Sequence, residues 1–179
     1  MSYTLLNYDY TEAGAEVTVE KTLKKVYKIL DNVTPLRVDC GQLCSGECCK
    51  GDSDTGMLLF PGEEKFFESN ENFSIRKTSD GRNVLICSGK CDRKLRPVSC
   101  RIFPLFPVLV DGRIYVFDDP RAKGICPLLY DEMKLSRKFE RRVAKAGKLL
   151  AKNEETSAFL KTLTDEICEI IDMNQKLFG

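Results

Sequence analysis

The sequence predicts a small mixed domain of the α+β class: an N-terminal helix, two β-hairpins around a cysteine metal site, and a C-terminal helix pair. Three observations lead there. Apolar residues recur at helical spacing near both ends of the chain. Two Asp-Gly pairs stand between strand-like runs. Eight of the nine cysteines fall between Cys40 and Cys126, in a chain with no histidine.

Taken in order, Tyr3–Tyr10 reads as a short strand or extended arm. Val19, Leu23, Val26, Tyr27 and Leu30 share one helical face, which predicts an amphipathic helix over residues 17–32, with Pro35 beyond its end. From Cys40 to Gly56 the chain turns to Cys, Gly, Ser and Asp, a loop with at most one helical turn. Met57–Phe60 suggests a short strand. Pro61-Gly62-Glu63-Glu64 suggests a helix start, with Pro in the first turn and acids at the positive end of the dipole.

Phe73–Lys77 and Arg82–Cys87 flank Asp80-Gly81, and Leu105–Val110 and Arg113–Phe117 flank Asp111-Gly112. Asp and Gly both tolerate positive φ, so each pair predicts a hairpin turn. Pro104 and Pro107 give the second hairpin's first strand an irregular start or an edge position. Leu135, Phe139, Val143, Ala146 and Leu150 then form one helical stripe, and Leu160, Leu163, Ile167, Ile170 and Ile171 another. The organisation expected is a cysteine-cluster domain over 1–130 with a helical hairpin over 131–179 packed on it.

The 179 residues carry 28 Lys and Arg against 27 Asp and Glu, so a strongly basic nucleic-acid binder is disfavoured. The first C-terminal helix is basic, from Lys134 to Lys152, and the second is acidic at Asp165, Glu166, Glu169 and Asp172. An antiparallel pair that brings these faces together explains them more simply than RNA binding does. Met1–Asp9 lacks the basic and apolar regions of a signal peptide, and the longest apolar run, Ile102–Val110, is too short and too proline-rich to span a membrane. A cytoplasmic location is expected, where disulfides are rare.

The cysteines carry the chemistry. With no histidine, there is no Cys–His or Ser–His pair and no imidazole ligand, so a soft-metal site must be built from thiolates. Cys168 stands alone in the last helical stripe and is set aside as a buried small apolar residue. Cys40, Cys44, Cys48 and Cys49 form C-x3-C-x3-C-C; Cys87, Cys91, Cys100 and Cys126 follow. Eight thiols make two sets of four, and four thiolates saturate a structural zinc or a [4Fe–4S] cluster. The absence of any C-x2-C weakens zinc and removes a thioredoxin-like dithiol, while Cys126-Pro127 matches an ending common around iron–sulfur ligands.

Cys48 and Cys49 are adjacent, and adjacent side chains diverge in extended structure, so each suits a different centre unless one of them only packs. No late pair can saturate a metal locally. Shared sites between the early run and the late cysteines are therefore expected. Lys90, Arg93, Lys94, Arg96 and Arg101 surround Cys91 and Cys100, where cations favour thiolates.

These residues also resemble a known family. Cys40-x3-Cys44-x3-Cys48-Cys49, then Cys87-Ser88-Gly89-Lys90-Cys91, is similar to the bacterial cysteine-cluster family named for its CxxCxxCC motif and described as zinc- or iron-chelating. Arg96-Pro97-Val98-Ser99-Cys100-Arg101-Ile102-Phe103-Pro104 resembles that family's RPxxCRxFP segment, and Cys126-Pro127 its last cysteine. The likeness covers residues 40–127; the first two spacers are three residues long where the family's label has two. A related cysteine region occurs in flagellin lysine-N-methylases.

The leading functional expectation is a cysteine-rich metal-binding protein, with an iron–sulfur cluster favoured over zinc and a structural or redox role. Its ligand pool is Cys40, Cys44, Cys48, Cys49, Cys87, Cys91, Cys100 and Cys126. An alternative is a component of an S-adenosylmethionine-dependent protein-modification enzyme, as the methylase likeness implies. The chain has no Gly-rich loop after a strand for that cofactor, and its candidate carboxylates Glu63, Glu64, Asp118 and Asp119 suit a helix start and a turn. A third expectation is a zinc-stabilised interaction module, with the basic helix over 134–152 facing a protein partner.

Overall fold

The computed structural model describes residues 18–50, 56–87, 92–130 and 134–178. The expected Tyr3–Tyr10 strand lies outside them. Within them the chain is an α+β fold of helices and two antiparallel sheets.

Helix α1 spans Val19–Leu30. The Thr18 hydroxyl accepts from the Lys21 amide, Glu20 sits in the first turn and Lys28 in the last, so cap and charges agree with the dipole. Its buried face is Thr22, Leu23, Val26 and Leu30. The first sheet orders β1 (Met57–Leu58), β3 (Asn83–Cys87) and β2 (Phe73–Lys77) as β1-β3-β2, with β3 central. Its own small core is Leu59, Phe67 and Leu85. The β2–β3 turn is longer than Asp80-Gly81 alone. Thr78 donates its amide to the Arg82 carbonyl and Gly81 donates to Thr78, so a five-residue loop closes the hairpin with Gly81 at φ 83°.

The second sheet is β4 (Leu105–Val110) paired with β5 (Arg113–Asp118). Its turn is the two-residue kind the sequence suggests: Asp111 at φ 49° and Gly112 at φ 73° match the strand twist. The Phe103–Pro104 peptide before β4 is cis. Helices α4 (Arg137–Leu150) and α5 (Glu154–Phe178) follow. The Asn153 side chain accepts from the Thr156 amide where α5 begins.

One core joins both ends of the chain: Leu23, Val26, Phe60, Ile102, Phe106, Phe139, Val143, Leu150, Leu160 and Ile167 are all within it. Helix α4 lies between α1 and the β4–β5 sheet. Its contact with the sheet is close enough that a Cβ at Gly147 would sit 2.6 Å from the Pro107 Cβ, so glycine is required there. Thr164 of α5 accepts the Leu109 amide at 3.0 Å, satisfying a donor that the two-stranded sheet leaves over. Both helices pack chiefly on this sheet. On the acidic helix Glu166 is taken by Arg82 of the β2–β3 loop at 2.7 Å.

Two side chains differ from expectation. Cys168 is exposed, not buried. The buried stripe of α5 runs through Leu160, Leu163 and Ile167, and the next residue is turned about 100° away from it. Glu63 does not open an α-helix but a 3-10 turn over Glu63–Phe66, and it is fully buried.

Candidate metal centre

The early cysteines lie on two short turns. Asp39 accepts from the Gly41 amide, and Cys40 precedes α2 (Gly41–Cys44). The three-residue spacer therefore sets Cys40 and Cys44 one helical turn apart, and the Cys44 thiol meets the Cys40 carbonyl at 3.6 Å. Ser45 at φ 51° and Gly46 at φ 69° then reverse the chain in the left-handed region. That reversal leads into a 3-10 turn over Glu47–Cys49.

The turn alters the geometry expected of the adjacent pair. Cys48 and Cys49 are not extended, and the Cys48 thiol hydrogen-bonds the Cys49 sulfur. That bond holds Cys49 below the ordinary thiol range, with Arg96 helping, and drives Cys48 above it.

The late cysteines come from two further segments. Cys100 sits inside α3 (Val98–Ile102). Cys126 precedes a 3-10 turn over Pro127–Leu129 and is buried with Ala122 and Leu128, against which Cys40 and Leu36 also pack. Arg93 reaches back to Asp39 at 2.9 Å and ties the late loop to the early one.

Charge interactions link six of the candidate sulfurs. Burial pushes the Cys40 thiol up, and Cys44 adds to that against the pull of Arg93. After its bond to Cys49, Cys48 feels burial and then the charges of Cys49, Cys100 and Cys40. Burial also raises Cys126, with Cys40 and Cys44 acting in the same direction. The geometric meeting of the early run with the late chain is at Cys40, which packs against the cluster of Ala122, Cys126 and Leu128. Cys87 lies at the end of β3 opposite Phe73. Cys91 lies outside the described residues. Among those described, no three Cys, Asp or Glu side chains are arranged to hold a metal ion.

Two clefts adjoin the thiols, and only the second is lined by cations. A cleft of about 340 Å³ runs past Cys44, Glu47, Ile125 and Tyr130. A second, of about 250 Å³, has Cys100 in its wall beside Arg93, Arg96 and Arg101. Not all of that charge faces the thiols: Arg101 donates to the Arg96 and Lys94 carbonyls at 2.7 and 2.6 Å. Of the candidate carboxylates, Asp119 caps the Pro120–Ala122 turn and pairs with Arg121, as a turn residue should.

Glu63 is the residue whose role the sequence hides. Its carboxylate accepts from the Tyr27 hydroxyl at 2.5 Å, the Val98 amide at 2.7 Å and the Phe60 amide at 2.9 Å. Burial raises its pKa, opposed by these three bonds and by Arg101. The only sequence signal is an acid just after Pro61-Gly62, which reads equally well as a cap.

No family model, curated protein or solved structure matches the chain. Among the described residues no helix is long and apolar enough to cross a membrane.

Proposed function

We propose that the chain is a cysteine-rich metal-binding protein whose thiolates take an iron–sulfur centre, a [4Fe–4S] cluster ahead of zinc, in a structural or redox role. The observation that supports this most is that Cys40 of the early run packs against the late Cys126, with the Cys48–Cys49 pair and Cys100 near enough to interact by charge and Arg93 and Arg96 beside them. Thiols crowded in this way penalise one another when ionised. A bound cation removes that penalty by taking the thiolates as ligands and releasing their protons. Six soft donors and no histidine leave sulfur as the dominant ligand, and a thiolate set suits both an iron–sulfur core and zinc.

On this reading, ligation requires the thiol side chains to turn toward a common centre. The early segment is suited to such a shift, because neither α2 nor the Glu47–Cys49 turn buries a residue. Cys87 and Cys91 complete the ligand pool expected from the resemblance to the cysteine-cluster family.

The test is metal and acid-labile sulfide analysis of protein purified without oxygen. Brown protein with iron and sulfide in equal amounts is the expected result. Zinc without sulfide replaces the cluster by a zinc site. Protein that holds neither, even after reconstitution with iron and sulfide and with zinc, sinks the proposal.

A further inference from the structure

Three chain positions flanking Cys100 are anchored, each in a different way. The Val98 amide, the first of α3, donates to Glu63 at 2.7 Å. The Ser99 hydroxyl donates to the Leu58 carbonyl of β1 at 2.6 Å. The Arg101 guanidinium donates to the Arg96 and Lys94 carbonyls and lies over the Tyr27 ring, 4.6 Å from its centre. Tyr27 in turn donates its hydroxyl to Glu63 at 2.5 Å, and the Phe60 amide donates to the other carboxylate oxygen at 2.9 Å. Glu63 therefore gathers α1, the segment after β1, and α3 at one fully buried point.

We infer that Glu63 is the positioning residue of the Cys100 turn: its carboxylate fixes the start of α3 against Tyr27 and Phe60 and so sets where the Cys100 sulfur stands among the other thiols. The consequence for metal binding rests on the thiolate reading above; the anchoring itself does not.

Adhesion alone does not call for a carboxylate here. Phe60, Val98 and Ile102 are buried in the shared core and already hold these segments together by apolar contact. A buried charge is a costly way to add more. What the charge supplies is direction. Three donors converge, and only an acceptor with several lone pairs and no hydrogen of its own meets them all. One of them is the opening amide of α3, a group that helix geometry leaves without an internal partner. Losing it frees the first turn of a helix only five residues long, in which Cys100 is the central residue.

The experiment compares the full wild-type chain with Glu63→Gln and Tyr27→Phe. In Glu63→Gln the amide group must point its own hydrogens at the Phe60 or Val98 amide, so one donor faces another. Tyr27→Phe removes one donor and leaves the carboxylate two. Two readouts are taken: amide hydrogen exchange along the chain, and titration with Co(II) followed by thiolate-to-metal absorption. Glu63→Gln is expected to speed exchange at Val98, Arg101 and Phe103 by about tenfold while β4 and β5 exchange as before. Co(II) affinity should fall by about tenfold at unchanged stoichiometry, with Tyr27→Phe moving both readouts the same way by less.

Equal acceleration throughout the chain, or none at residues 98–103, overturns the assignment. So does a loosened turn with Co(II) affinity intact. Should Glu63→Gln fail to fold, Tyr27→Phe decides by the same two readouts. If the wild type takes up no Co(II), the thiolate reading falls on its own, and exchange at residues 98–103 still decides whether Glu63 holds the turn.

Discussion

The two ends of this fold are held by different forces. Around β4, β5, α4 and α5 the contacts are apolar and closed: Phe139, Val143, Ala146 and Leu150 are each 0% exposed. Around Cys40–Cys49 almost nothing is enclosed, and Val38 and Leu43 are 59% and 57% exposed. That segment is tied down by Asp39 to Arg93, by Cys40 against Cys126, and by its own turns. The helical end has enough apolar surface to fold by burial. The cysteine end has only the small cluster of Ala122, Cys126 and Leu128, and on the proposed reading its sulfurs would close it. The contrast teaches where a metal would matter for stability: at the half that packing neglects.

The largest expected effect lies in the packed half. Phe139→Ala removes a fully buried ring from the shared core and should cost about 3–5 kcal/mol, with the midpoint of urea unfolding as the measure. The loss should be the same with and without a chelator. A cost that depends on metal would mean that the two halves are not held independently.

Next comes pH, which acts between the halves at Glu63. Burial raises this carboxyl above its usual 4.5, so the folded chain binds the proton more tightly than the unfolded chain. Its contribution to stability is fully present below the unfolded value and is lost as pH rises through the folded one; each unit of the shift corresponds to about 1.4 kcal/mol. Glu63→Gln should remove that decline, seen as a flatter plot of unfolding free energy against pH above 4.5. An unchanged slope would place the titration elsewhere.

Much of the packed half is legible in the sequence, because it follows a period. The stripes Leu23–Val26–Leu30 and Phe139–Val143–Ala146–Leu150 repeat every three or four residues, and both hairpins announce themselves by Asp-Gly. The cysteine half follows no period, so its composition is visible but its shape is not. The pairing of Cys48 with Cys49 depends on Ser45 and Gly46 both turning left-handed, which no spacing rule conveys. Glu63 is hidden for another reason. Its three donors come from Tyr27, Phe60 and Val98, and only the tertiary fold brings those together.

A smaller effect tests whether ion pairs hold the cysteine half. Arg93 and Asp39 are 34% and 51% exposed at their side chains, so their pair is screened by water. A double-mutant cycle of Arg93→Ala and Asp39→Ala should give a coupling of about 0.2–1 kcal/mol, smaller again in high salt. A coupling well beyond that range would make the late loop a structural clamp in its own right and weaken the case that thiolates close this end.

The smallest effect is expected at Cys168. It is a cysteine, yet it sits on α5, within the packed half, and faces solvent one position past Ile167. Its neighbours on the helix belong to the core that includes Leu160 and Leu163, not to the group around Cys40 and Cys126. Cys168→Ala exchanges one small side chain for another on an exposed helical surface, where alanine is the better helix former, so stability should change by less than about 0.5 kcal/mol. Metal content per chain should be unchanged, measured on the same preparation that serves for sulfide analysis. The substitution also removes an exposed thiol, so covalent dimers that form in air through this position should disappear on a non-reducing gel. Loss of metal in Cys168→Ala would break the division between the halves, because a sulfur on the packed side would then be serving the open one.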